Sequence, residues 1–220
     1  EPKTWRVKGF SPIRHGDVLV FNFPYAKDWN KIRIHLSRFY VKRCIGLPGD
    51  TLCIRGAFYE INGKRGYGNL QEQEAIARFK GEYPQGIFHT IPFDPRIAWN
   101  IQNMGPLYIP RKGDKIHLDS MAYRLYRKMV EYESGLKLRE QDGKIYAGDS
   151  LTEYYTFQTN WYFMGGDKMW NSQDSRYIGL IPEEFLIGKA ILVLSSKDKD
   201  TGEYRWNRFF TRIRREQNNL

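Results

Sequence analysis

Apolar positions along this chain recur mostly with the period of a strand. Asp17-Val-Leu-Val-Phe-Asn-Phe23 is a short apolar run entered by the turn signal His15-Gly16-Asp17, and it predicts a buried strand. Arg38-Phe-Tyr-Val-Lys-Arg-Cys-Ile45 predicts a second, its side chains pointing alternately to two faces. Leu47-Pro-Gly-Asp50 reads as a turn, 51–55 as a third strand and 58–61 as a fourth, closed by Asn62-Gly63, the strongest short hairpin signal. Strand patterns return late in the chain, at 143–146, 154–157, 161–164 and 188–194.

The middle, from about 64 to 141, has another texture. Residues 70–78 are charged and helix-compatible, 84–110 are proline-rich and irregular, and 120–133 carry a helical pattern capped by Ser120 and ended near Gly135. The whole predicts a mainly β fold. Residues 1–63 and 142–200 form a discontinuous β-rich core, 64–141 an inserted α+β subdomain, and 201–220 a basic C-terminal segment. In that last segment Trp206, Phe209, Phe210 and Ile213 share one helical face, and Arg205, Arg208, Arg212, Arg214 and Arg215 surround them. This predicts a helix whose apolar side docks on the core while the arginines meet solvent; an interfacial helix is the alternative.

Composition narrows the partners. A length of 220 residues suits one large domain or a domain with an insertion, and 15% aromatic residues favour strands. The formal charge of +10 fits nucleic acid, an anionic membrane face or acidic substrates. No known nucleic-acid motif arranges these basic and aromatic residues, so nucleic acid is not the expected partner. No run of about 18 apolar residues spans a bilayer, and no signal-peptide pattern opens the chain. It starts at Glu1 in what reads as mid-domain, as a piece trimmed for solubility does. Cys44 and Cys53 flank the 47–50 turn and could face each other across a hairpin; two buried free thiols are the expectation. His15, His35, His89 and His117 make no metal signature, and no phosphate loop or dinucleotide fingerprint is present, so no cofactor is expected.

Three segments carry a resemblance. They are Arg14-His-Gly-Asp-Val-Leu-Val-Phe-Asn-Phe-Pro24, Tyr40-Val-Lys-Arg-Cys-Ile-Gly-Leu-Pro-Gly-Asp50, and Gly166-Asp-Lys-Met-Trp-Asn-Ser-Gln-Asp-Ser-Arg-Tyr177 followed by Gly179, Pro182 and Gly188-Lys-Ala190. In this order they resemble the conserved boxes of the bacterial signal peptidase I family, over roughly residues 12–62 and 142–194. The resemblance implies a catalytic domain of coiled β-sheets, and the insertion is similar to the enlarged second domain of some members. It implies that Lys42 is the general base and that Ser172 holds its amine. Arg43 with Asp167, and Asp174 with Arg176, are implied to be structural ion pairs near the site. The implied activity is removal of signal peptides from exported preproteins by a membrane-anchored serine–lysine protease on the outer, periplasmic face of the inner membrane, with anionic lipid as a second partner.

This sequence departs from the family pattern in two places. Lys168-Met169 stand where many members have Asn-Arg. The family's nucleophilic serine sits in a Ser-Met-x-Pro-Thr box well upstream of the first segment, and none of the 15 residues before Gly16 forms it. Ser11 lies too close to Gly16-Asp17 and reads as a linker residue. The chain as given is therefore expected to be inactive, with a catalytically inactive binding module as the rival reading. A related self-cleaving repressor-type peptidase is disfavoured by the Gly-Leu-Pro-Gly-Asp and Asp-Ser-Arg-Tyr boxes.

The residues add their own argument. A lysine with an ordinary pKa near 10.4 is a poor base at neutral pH and becomes useful when desolvation lowers that value. Lys42 shares a strand face with Tyr40 and Cys44, which solvate an ammonium poorly. Ser172 sits in a run of turn formers, and Gly165 and Gly166 offer backbone conformations closed to other residues.

Overall fold

The computed structural model describes residues 9–198, 201–213 and 215. Residues 1–8 of the expected core, and 199–200, 214 and 216–220 toward the C-terminus, lie outside the described residues. The fold is mainly β, as the alternation predicts. In chain order the first strands are β1 (Val18–Phe23), β2 (His35–Gly46), β3 (Thr51–Arg55), β4 (Phe58–Ile61) and β5 (Lys64–Arg65). Helix α1 (Leu70–Arg78), β6 (Asn103–Tyr108), β7 (Lys115–His117) and helix α2 (Ser120–Ser134) follow. The last part holds β8 (Leu138–Gln141), β9 (Lys144–Ala147), β10 (Ser150–Leu151), β11 (Tyr154–Thr156), β12 (Trp161–Gly165), the short helix α3 (Ser175–Ile178), β13 (Ile181–Pro182), β14 (Leu186–Lys189), β15 (Leu192–Val193) and β16 (Thr211–Arg212).

Two antiparallel sheets frame the molecule. The larger has the order β13-β12-β2-β1-β14 and the second β5-β4-β3-β6. Long β2 belongs to two environments. Its second half, Arg43 to Gly46, is buried because β12 pairs beside it, with Arg43 opposite Gly165 and Gly46 opposite Phe163. Its first half pairs with β1 alone, Lys42 lying opposite Leu19, and among the described residues no strand covers its other edge. The β4–β5 turn has Asn62 at φ 51° and Gly63 at φ 78°, the double left-handed geometry that Asn-Gly favours. Leu19, Phe21 and Phe23 of β1 and Trp161 and Phe163 of β12 belong to one continuous core that extends to Tyr126, Met129 and Val130 of α2. Each fully buried large apolar side chain contributes about 1.5–3 kcal/mol.

Three local expectations change. Helix α2 is capped by Asp119, whose carboxylate accepts from the Ala122 N–H at 2.7 Å, while the Ser120 hydroxyl turns to Glu140. The helix ends at Gly135 in the left-handed conformation (φ 72°), as expected. The strand expected over 188–194 is broken. Its first part pairs with β1 in β14, and its second part leaves to pair with β16 as β15. The described part of the C-terminal segment holds no α-helix: Trp206–Arg208 is a single 3-10 turn and Thr211–Arg212 is a strand. Phe210 adopts φ 52°, which a right-handed helix cannot contain, and Arg205 is tied back to Asp198 by an ion pair and to the Ser196 carbonyl by its N–H. Trp206 therefore stacks on Phe209 at 4.8 Å, and Trp206 and Phe210 stay 71% and 73% exposed instead of docking on the core. Cys44 and Cys53 are buried free thiols.

Candidate active site

The site is built where β2 passes from open edge to buried centre. Lys42 is the last β2 residue before the strand is covered by β12, and its face is shared with Tyr40, whose ring centroid lies 5.6 Å from Nζ. The facing side comes from the loop after β12. Lys42 Nζ lies 3.0 Å from Ser172 Oγ, a contact across 130 residues of chain. Desolvation by burial lowers the Lys42 pKa from its ordinary value; Asp174 and Asp167 pull it up, and Arg176 pushes it down. The lysine thus meets both conditions for a base: a weakened hold on its proton and a hydroxyl that fixes its direction.

The Ser172 loop is tied to its surroundings by contacts that can be read atom by atom. Asp174 caps α3 and its carboxylate accepts from the Arg176 Nε and Nη2 at 2.9 and 2.7 Å and from the Gly166 N–H at 2.9 Å. Both partners are fully buried, so this pair is an interior one and not a surface ion pair. Removing one member of such a pair costs about 3–5 kcal/mol, because the other charge is left buried and alone. Arg176 Nη2 also donates to the Met169 carbonyl at 3.0 Å, which holds the loop at the Lys168-Met169 departure, and Met169 itself is buried. Ser175 Oγ accepts from the Met164 N–H at 2.9 Å.

Arg43 and Asp167 form a two-pronged pair, Nε and Nη2 donating at 2.8 and 2.7 Å, and Arg43 Nη1 donates to the Gly16 carbonyl at 2.9 Å. One guanidinium therefore fastens the β1 entry turn, β2 and the Ser172 loop together. All six residues singled out in the sequence, Lys42, Arg43, Asp167, Ser172, Asp174 and Arg176, meet in this one region. Ser11 does not join them: it is exposed and its Oγ accepts from Lys189 at 3.0 Å.

Gly165 and Gly166 have a different reason from the expected one. Neither adopts a left-handed φ. What they supply is room: a Cβ on Gly166 would collide with Ser172 Oγ, and one on Gly165 would come within 2.7 Å of Ile45 Cγ1. Sequence reasoning also missed helix α1 as a support. Asn69 caps α1 by accepting from the Gln71 and Glu72 N–H groups, while its Nδ2 donates to the Asp167 carbonyl at 3.2 Å. Glu72 Oε2 accepts from the Met169 N–H at 3.1 Å. The signal was present as Asn69-Leu-Gln-Glu72, a cap residue with Glu three positions on.

A desolvated lysine held 3.0 Å from a serine hydroxyl on a mainly β scaffold is an arrangement chemically suited to proton transfer. Comparison with known proteins supplies the family. Residues 3–195 match the family model described as signal peptidase, peptidase S26, and the chain belongs to that family. It is 28% identical over 203 residues to a signal peptidase I of Buchnera aphidicola (subsp. Acyrthosiphon pisum), covering 86% of this chain and 56% of that protein. It is 28% identical over 182 residues to the signal peptidase I of Haemophilus influenzae, covering 80% of this chain and 45% of that protein. The chain thus spans about half the length of these relatives. Among solved structures, a signal peptidase I from Enterococcus faecalis aligns with a TM-score of 0.41 at 18% identity, over 83% of this chain and 99% of that one. Among the described residues no helix is long and apolar enough to cross a membrane.

Proposed function

We propose that the protein containing this chain is a signal peptidase that removes signal peptides from exported preproteins, with Lys42 as general base. The observation that carries the reading is the 3.0 Å approach of a desolvated Lys42 Nζ to Ser172 Oγ. In this reading a serine outside the described site attacks the scissile carbonyl. Neutral Lys42 takes the serine proton as the bond to carbon forms, and passes it to the departing amine. It then takes a proton from water to release the acyl-enzyme. Ser172 positions the amine, and the two ion pairs hold the loop that carries Ser172. The open edge of β2 supports the way substrate is presented. An extended peptide added there as a strand places its backbone alongside Lys42.

Lipid is the second proposed partner. Phe39 and Val41 of β2, Ile187 of β14, and Ile191, Leu194, Trp206 and Phe210 near the C-terminus are large apolar side chains left exposed. Together with the +10 charge they fit an anionic membrane surface on the outer side of the inner membrane.

The test is cleavage of a preprotein by the full-length protein, by Lys42→Ala and by Ser172→Ala. Lys42→Ala is expected to lower kcat/KM by about 10²–10⁴-fold with the fold intact. In the unaltered protein kcat/KM should rise with pH as Lys42 loses its proton, with a midpoint below the ordinary lysine value because burial lowers that pKa. Ser172→Ala should leave measurable turnover and move that midpoint. Near-normal cleavage by Lys42→Ala would end the reading. Complete loss in Ser172→Ala, with covalent labelling of Ser172 by a serine-directed inhibitor, would make Ser172 the nucleophile instead. No cleavage by the unaltered full-length protein would leave a binding module.

A further inference from the structure

A cleft of about 450 Å³ opens against Ser172, with walls from Trp29, Ile87, Phe93, Trp170 and Tyr177. Lys42 does not line it, and neither does any charged side chain. Its walls come from four places: the β1–β2 connection, the irregular stretch after α1, the Ser172 loop and α3. The volume lies within the range of about 300–1,000 Å³ typical of ligand pockets. That is far more room than an alanine-sized side chain needs.

Both tryptophans of the wall pack against neighbouring aromatics. Trp29 stacks on Tyr25 at 5.0 Å and meets Phe23 edge-on at 5.5 Å, and its carbonyl accepts from Lys128 Nζ at 2.8 Å. Trp170 stacks on Tyr83 at 5.5 Å and meets Phe79 edge-on at 4.8 Å. Yet Trp29 and Phe93 remain 50% and 57% exposed. Phe93 is the telling residue. It adopts φ 58°, a left-handed conformation that a bulky side chain resists and glycine accepts freely. Its ring gains little from burial in return. An aromatic kept in strained backbone and half in solvent points to a role in contact with something else.

The cleft also adjoins the proposed peptide path. Tyr40, at the open edge of β2, donates to Oε1 of Gln173, and Gln173 sits on the rim of the cleft. The cleft is therefore linked to that edge through the Tyr40–Gln173 contact and to the Lys42 contact through Ser172. We infer that the cleft is a specificity subsite that seats one bulky apolar side chain, leucine or aromatic, of an extended peptide lying across Lys42 and Ser172. The inference rests on the peptidase reading above, and names a substrate feature that this reading leaves open. Trp29 and Phe93 are its specificity-determining residues.

The experiment uses the full-length protein and synthetic peptides that span a cleavage site with alanine at the flanking positions, each replaced in turn by leucine or phenylalanine. At one position the bulky residue should raise kcat/KM about tenfold over alanine, mainly through KM. The quantity read in the variants is this ratio, so a general loss of activity does not imitate the effect. It should fall to about twofold or less in Trp29→Ala and in Phe93→Gly, the latter being compatible with the left-handed backbone. No preference at any position, or a preference that survives both substitutions, overturns the inference. If neither preprotein nor peptide is cleaved, the peptidase reading fails separately, and the cleft is then read by tryptophan fluorescence on titration with the same peptides. Tighter binding of the leucine peptide that is lost in Phe93→Gly supports the subsite, and equal affinities reject it.

Discussion

At the scale of single residues, the site depends on the absence of atoms as much as on their presence. Gly166 leaves the space that Ser172 Oγ occupies, and its own N–H donates to Asp174. Gly166→Ala should therefore push Ser172 away from Lys42 while keeping every chemical group of the site. The expected outcome is loss of most preprotein cleavage, about 10²-fold as for other small misplacements of reacting groups, with far-ultraviolet circular dichroism unchanged. A Gly166→Ala enzyme of full activity would show that the Lys42–Ser172 contact is dispensable. Legibility at this scale was uneven. Lys42 and Ser172 stand out in the sequence because their residue types sit in recognisable boxes, and the structure brings the two side chains into contact. The reason for Gly166 does not stand out, because glycine in a string reports conformational freedom and close approach alike, and only the folded geometry separates the two.

At the scale of elements, α1 does more than fill the stretch between β5 and β6. Its N-terminal turn reaches the Ser172 loop twice, from Asn69 to the Asp167 carbonyl and from Glu72 to the Met169 N–H. Asn69→Ala removes a cap and a tether together. The cap alone is worth about 1 kcal/mol, which in a chain of this size lowers Tm by about 2–4 °C. The tether predicts an additional fall in kcat that a helix cap remote from the site would not cause. Thermal melting and steady-state cleavage on the same preparation separate the two. Sequence reading placed α1 and strands β3 and β4 closely because a charged, helix-compatible run, short apolar runs and the Asn-Gly turn are local signals. It failed on residues 188–194 and on the C-terminal segment because their outcome is decided by partners. Whether 188–194 stays one strand depends on β1 and β16 taking different halves of it. Whether 206–213 is a helix depends on a hairpin closed by Arg205 and Asp198.

At the scale of the whole molecule, charge and exposed apolar surface act together. A net +10 and exposed Trp206 and Phe210 predict that the chain binds vesicles containing anionic lipid more tightly than neutral ones. Affinity should fall steeply between low and physiological salt. The fluorescence of Trp206 should shift to the blue on binding, and Trp206→Ala should weaken it. Equal binding to neutral and anionic vesicles would remove lipid charge from the proposal.

The open edge of β2 has one more effect, which concerns the protein's own copies. Among the described residues no strand pairs with this edge beside Tyr40 and Lys42, and such an edge is a template that cannot tell a passing peptide from the corresponding strand of a neighbouring molecule. The charges nearby act as gatekeepers: Arg38 lies within this stretch, Lys31 and Arg33 just before it, and all three are exposed. Two such edges brought together would set cation against cation. Electrostatic repulsion then keeps crowded molecules apart while a strand without those cations can still enter, so solubility at high concentration and receptivity to peptide are two readings of the same row of basic residues.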